Sequence, residues 1–219
     1  MKHLLVVLIL LCSAADVAPA APPDPKAPAA TPAVSKAAAV PTATKPVEVD
    51  SLALLEKAVA RDSSKVENLY RLGVMYIDRD RPAEAVTVLA KAYEKHPKDL
   101  RLLVNLGAAH DALDHGEIAQ RLYRQALEVA PEDSVASCRL ASSLYTRGKH
   151  QEAMDLLRSV IQRTPGAYCA YFTLGVAFAD AGIYRDAIRM WQRVVELAPA
   201  SPEGMSAQES ITVLQKFVQ

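Results

Sequence analysis

Three cysteines, three phenylalanines and a single tryptophan are spread over 219 residues, and the 25 basic side chains are matched by 25 acidic ones. Each scarcity removes a class of function. Cys12, Cys138 and Cys169 contain no CxxC pair, so the thiols lack the spacing of a closed zinc site. A formal charge of zero leaves no electrostatic footprint for nucleic acid or an anionic membrane surface. No apolar run reaches the ~20 residues that cross a bilayer as a helix, so no integral membrane span is expected. There is no HExxH, no phosphate-binding glycine loop and no nucleophile–base pattern, which argues against an enzyme and against any cofactor.

Two weaker arrangements are set aside on position. His110, Asp111, Asp114, His115 and Glu117 lie close in sequence, but His110 falls at an apolar slot of its helix. It is expected to point inward, away from the others, so no metal site is expected. Cys138 and Cys169 are expected to be two buried thiols, with a bridge between them as the alternative in an oxidising compartment.

What is present begins with a leader. Lys2, the apolar run Leu4 to Leu11 and the small residues Ser13-Ala14-Ala15 read as a secretory signal over residues 1–15, with Ala18-Pro19-Ala20 a second cleavage site. The mature protein is therefore expected to be periplasmic or secreted. Leu10 and Leu11 before Cys12 are too bulky for a lipidation signal, so no lipoprotein is expected. Residues 16–49 change character: nineteen of the 34 are Pro or Ala, and none is Gly. Eight prolines oppose helix, and little large apolar surface remains to offset ordering, so a disordered linker is expected. Extended as polyproline II, it would reach on the order of 100 Å.

Residues 50–219 carry a repeat. Pro97, Pro131, Pro165 and Pro199 stand 34 residues apart, as do Ala85, Ala119, Ala153 and Ala187, and Leu72, Leu106, Leu140 and Leu174. Each leucine precedes a small residue: Gly73, Gly107, Ala141 or Gly175. Leu69, Leu72, Gly73 and Tyr76 share one helical face, Asp80 to Pro82 breaks the pattern, and Ala85, Leu89 and Ala92 form the face of a second helix. Small residues let the two helices approach, while large slots fill the remaining space. Those slots are Tyr76, His110, Leu144 and Phe178 on first helices, and Leu89, Tyr123, Leu157 and Trp191 on second helices. Asp80, Asp114, Gly148 and Gly182 suit the turns.

This pattern resembles the tetratricopeptide repeat, over four units at 66–99, 100–133, 134–167 and 168–201. The third unit departs most, with Ser137 at a large position, Ala141 for Gly and Val160 for Ala. The resemblance implies an all-α, right-handed α-solenoid of four full repeats. Residues 51–62 supply an N-terminal half repeat, with Leu55 and Ala58 in its slots. A C-terminal capping helix spans 203–218, with Ile211, Leu214 and Phe217 facing inward.

The resemblance further implies that first helices line a concave groove that receives a protein or peptide partner. By position that groove holds Glu67, Tyr70, Arg71, Val74 and Ile77, then Arg101, Val104, Asn105, Ala108 and Asp111. Cys138, Arg139, Ser142 and Tyr145 follow, and then Phe172, Thr173, Val176 and Asp180. The principal contacts are expected at Tyr70, Arg71, Val74, Arg101, Asn105, Arg139, Tyr145 and Phe172, a mixture suited to a segment with acidic character. Asn105 and Arg139 match two of the five positions with which one subclass grips a C-terminal carboxylate. Tyr70, Val74 and Val135 cannot supply the other donors, so that specificity does not carry over. Cys138 and Cys169 both fall on the groove side of adjacent units. The function implied is an extracytoplasmic scaffold or adaptor in envelope assembly, secretion or complex maturation. The alternative is a protein that self-assembles into homo-oligomers through the same surface.

Overall fold

The computed structural model describes residues 51–218, so the leader and the Pro/Ala-rich linker lie outside the described residues. Helix α2 (Val66–Asp78) pairs with α3 (Pro82–Lys95), α4 (Leu100–Ala112) with α5 (Gly116–Val129), α6 (Ser134–Thr146) with α7 (His150–Arg163), and α8 (Tyr168–Asp180) with α9 (Tyr184–Leu197). Helix α1 (Ser51–Arg61) precedes the pairs, and α10 (Pro202–Leu214) follows them, running into a 3-10 turn over Gln215–Phe217. Among the described residues there is no strand, and the fold is an all-α solenoid.

Within each pair the turn is closed by one left-handed residue. Asp80 (φ 55°), Asp114 (φ 62°), Gly148 (φ 76°) and Gly182 (φ 76°) occupy it. The next residue's amide then donates back to the helix: Arg81 to the Tyr76 carbonyl at 2.8 Å, His115 to His110 at 2.9 Å, Lys149 to Leu144 at 2.9 Å and Ile183 to Phe178 at 2.8 Å. Such bonds satisfy carbonyls that the helix end leaves open. The starts of the first helices are less uniform. Asp99 and Asp133 accept from the Arg101 and Ala136 amides, and Ser201 accepts from Gly204. Lys65 and Ala167 hold the same position without a capping side chain.

The glycine slots explain how closely the paired helices approach. A Cβ on Gly73 would stand 2.4 Å from Leu89 Cγ, one on Gly107 2.5 Å from Tyr123 Cε1, and one on Gly175 2.3 Å from Trp191 Nε1. Leu89 and Tyr123 are fully buried, and Trp191 nearly so. The indole N–H donates to the Phe172 carbonyl at 3.2 Å, so the tryptophan is satisfied inside the core. In the divergent third unit, Ser137 is buried and its hydroxyl donates to the Asp133 carbonyl at 2.9 Å.

Both ends depart from the middle. Helix α1 is held by Glu56, which accepts from the Tyr76 hydroxyl at 2.8 Å and faces Arg81 at 3.5 Å. At the other end Ile211 and Leu214 are buried as expected, but Phe217 is 67% exposed. The expectation that Phe217 faces inward is corrected: the α-helix stops at Leu214, and among the described residues no further helix lies beyond the 3-10 turn. The aromatic ring that meets Phe217 is Tyr184, at 6.1 Å between centroids.

Successive first helices touch along the array: α2 meets α4, α4 meets α6, α6 meets α8 and α8 meets α10, whereas second helices approach one another less closely. The first helices therefore form the concave side.

Candidate functional site

Four residues from each first helix recur in rows across the concave side, because a 34-residue step returns to the same helical position. One row is Tyr70, Val104, Cys138 and Phe172. Val104, Cys138 and Phe172 are buried, and Tyr70 is half-buried. Phe172 thus belongs to the C-terminal core with Val176 and Trp191, and offers little of its ring to the groove. The adjacent row is Arg71, Asn105, Arg139 and Thr173, and it is the accessible one: Arg71 is exposed and the other three are half-buried. Val74 is half-buried on the same face.

At the N-terminal part of the groove, the Arg101 guanidinium lies 4.6 Å from the Tyr70 ring centroid. It is held there by Glu67 at 3.4 Å and Asp99 at 3.2 Å. Asn105 donates to the Arg101 carbonyl at 2.8 Å and stands 3.5 Å from the Tyr70 hydroxyl. Burial raises the Tyr70 phenol above its ordinary value, with Arg101 opposing. The Asp99 hydrogen bond raises Arg101, so this cation stays charged throughout the working range. Among the described residues Arg71 has no side-chain hydrogen-bond or ion-pair partner, which leaves its charge available to an incoming group.

In the middle, Asp111 turns away from solvent. Ser143 Oγ donates to one carboxylate oxygen at 2.8 Å and the Tyr123 hydroxyl to the other at 3.0 Å. Burial raises this carboxyl, against those two bonds and the charges of Arg139 and Arg147. Further along, the Tyr145 hydroxyl donates to the Ala177 carbonyl at 3.4 Å, and its ring meets His150 edge-on at 4.6 Å. The groove is thus lined by three arginines, with one of the facing acids sequestered.

Two sequence expectations change here. Cys138 and Cys169 are joined in a disulfide, with Cα atoms 6.0 Å apart, rather than standing as two thiols. Neighbouring first helices bring their groove sides together, which the one-dimensional spacing could not reveal. His110 is not separated from His115: their Nδ1 atoms lie 3.3 Å apart, so one donates and the other accepts. The turn itself causes this, since the His115 amide bonds to the His110 carbonyl. Arg81 over the Tyr76 ring, at 4.5 Å, is the same contact one repeat earlier. Among the described residues no three His, Cys, Asp or Glu side chains converge on a point that could hold a metal ion. No helix among them is long and apolar enough to cross a membrane.

Comparison with known proteins gives consistent matches. Tetratricopeptide repeat models match residues 50–99 and 104–168, and a second such model matches 170–201. Among curated proteins, peroxisome biogenesis protein 5 of Arabidopsis thaliana is 26% identical over 139 residues, covering 63% of this chain and 18% of that one. The uncharacterized protein y4yS of Sinorhizobium fredii is 34% identical over 87 residues, 40% of this chain and 48% of its own. The chain thus spans from under a fifth to about half the length of these relatives. Among solved structures, a thermophilic TPR protein of Thermus thermophilus, TTC0263, superposes with a TM-score of 0.65 at 16% identity, covering 75% of this chain and 88% of that one. MamA superposes at 0.55 with 23% identity, covering 72% and 89%. YrrB, described as a TPR protein with an unusual peptide-binding site, superposes at 0.51 with 24% identity, covering 72% and 81%. At these identities the structural matches speak for the fold.

Proposed function

This chain belongs to the tetratricopeptide repeat family, and on that footing we propose that its concave face holds an extended partner segment with acidic side chains, outside the cytoplasm. One observation carries the proposal: the accessible row Arg71–Asn105–Arg139 crosses three neighbouring first helices, and Arg71 within it is exposed and has no side-chain partner among the described residues. Adjacent packed helices lie about 10 Å apart. Arg71 is therefore placed to meet an acid on one extended strand, with Asn105 one helix further on to engage its backbone, while Arg139, engaged within the fold, adds positive charge to the row. Tyr70 and Tyr145 supply flat, half-buried surface at low ordering cost.

Location outside the cytoplasm is supported by the signal-like residues 1–15 and by the Cys138–Cys169 disulfide, which persists in oxidising compartments. The role that fits is an adaptor or scaffold in envelope assembly, secretion or complex maturation. A photo-crosslinking residue at Arg71, compared with one at exposed Thr87 on α3, tests the groove in cells. Adducts specific to position 71, and lost on Arg139→Glu, are expected; identical adducts at both positions would refute it. N-terminal sequencing of the exported protein is expected to begin at Asp16, and a chain retaining residues 1–15 in the cytoplasm would overturn the location.

A further inference from the structure

The two ends of the solenoid are built differently. Helix α1 stands where a second helix would, with Ser51, Leu55 and Ala58 one repeat before Ala85, Leu89 and Ala92. Those three are fully buried, whereas Leu55 and Ala58 are only half-buried. Leu54, in register with the buried Val88, is 54% exposed. Among the described residues no helix covers the side of α1 that receives a first helix in every other pair, yet that side keeps the leucines of a packed helix. At the far end the converse holds. Gln208, Glu209 and Thr212 of α10 stand where α8 has Leu174, Gly175 and Phe178, and all three are exposed. The face of α10 that would receive a further helix is thus polar, although Met205, Val213 and Phe217 are exposed elsewhere on that end, whereas the matching face of α1 is apolar.

The repeat pattern does not continue in the sequence ahead of α1. One repeat upstream of α2, residues 32–44 place Ser35, Ala38, Ala39 and Thr42 where α2 has Leu69, Leu72, Gly73 and Tyr76, and they include Pro32 and Pro41. A second copy stacked end to end would offer α10, whose matching positions are polar. Two copies of α1 meeting face to face would set second helix against second helix, a contact less close in this array than that between first helices. We propose that the N-terminal end of the solenoid docks one amphipathic helix of another protein, which completes the array as the first helix of a repeat. Internal geometry states what that helix must be. Leu89 leaves no room for a Cβ on the helix it faces, so by the same geometry Leu55 calls for Gly opposite it. Large apolar residues flank that position at the spacing of Leu69, Leu72 and Tyr76. The incoming helix also lies against α2, as α2 lies against α4, and so continues an interface already present.

The probe is a peptide of residues 65–79, held helical by a lactam bridge between positions 67 and 71 and titrated against the full chain by fluorescence anisotropy. Saturable one-to-one binding is expected, weakened about tenfold or more by Leu54→Lys in the protein and by Gly73→Leu in the peptide, and unchanged by Arg139→Gln in the groove. No binding, or binding indifferent to Leu54→Lys, overturns the proposal. Loss on Arg139→Gln also overturns it, since the peptide is then in the groove. Markedly tighter binding when residues 16–49 are deleted overturns it by assigning the surface to the chain's own linker. Dimerisation abolished by Leu54→Lys, without peptide binding, overturns it in favour of a second copy.

Discussion

The Arg101 guanidinium stacks on the Tyr70 ring at the same point of its repeats where, two repeats later, Cys169 is bonded to Cys138. Each pair is 31 residues apart and joins neighbouring first helices on the concave side. One junction of the groove is therefore releasable, and the other is covalent.

The two junctions should differ sharply in their contribution to stability. Closing a loop of this length by a disulfide contributes about 3–4 kcal/mol, largely by restricting the unfolded chain. An exposed cation over an aromatic ring contributes about 0.5–1 kcal/mol. Urea denaturation of Cys138→Ala/Cys169→Ala and of Arg101→Ala measures both. Equal losses would show that the covalent junction adds nothing beyond the stacked one.

Gly175→Ala should destabilise the fold by about 1–3 kcal/mol, the usual cost of overpacking. The added methyl would sit 2.3 Å from Trp191 Nε1, forcing the indole away from the Phe172 carbonyl. Thermal melting and tryptophan fluorescence should move together, because this is the chain's only tryptophan. A loss of stability with unchanged emission would place the strain elsewhere.

If the groove reads acidic side chains, Arg71→Glu should weaken the partner while leaving the melting temperature within about 2 °C, since Arg71 is an exposed surface position. Binding of the wild type should fall as salt rises, and the variant's should fall less. Salt-independent binding would remove the arginine row from recognition.

His110 should make stability rise with pH between about 5 and 6.5, with its contribution levelling off above that. Burial, helped by His115 and Arg121, holds His110 below the ordinary imidazole value. As pH falls, the unfolded chain takes up that proton first, so the folded state loses ground until His110 itself protonates. Protonation also leaves the facing Nδ1 atoms as two donors with no acceptor between them. His110→Asn should flatten the dependence of melting temperature on pH between about 5 and 7. An unaltered slope would assign it to other groups.

Helix pairing is legible in the sequence because the residues that set it are few and periodic. Gly73, Gly107 and Gly175 face Leu89, Tyr123 and Trp191, and Asp80, Asp114, Gly148 and Gly182 take the left-handed turn. Contacts between repeats are harder to read. Phe172 reads as a groove aromatic, and its burial follows from the company of Val104 and Cys138 in the same row. The meeting of Cys138 and Cys169 depends on how closely two first helices pack, which spacing along the chain does not report. Helical phase alone would separate His110 from His115. The turn's backbone bond, formed in every unit, overrides that phase.

Bonding α6 to α8 ties a closed ring of chain around α7. A solenoid whose units touch only their neighbours otherwise comes apart one unit at a time from either end. Here peeling that starts at α10 meets a covalent stop after α9, whereas peeling that starts at α1 runs freely through two whole repeats. The molecule thus has a loose end and a fast end. Opening that runs past a single pair of helices is therefore expected from the side of Leu54 and Arg71.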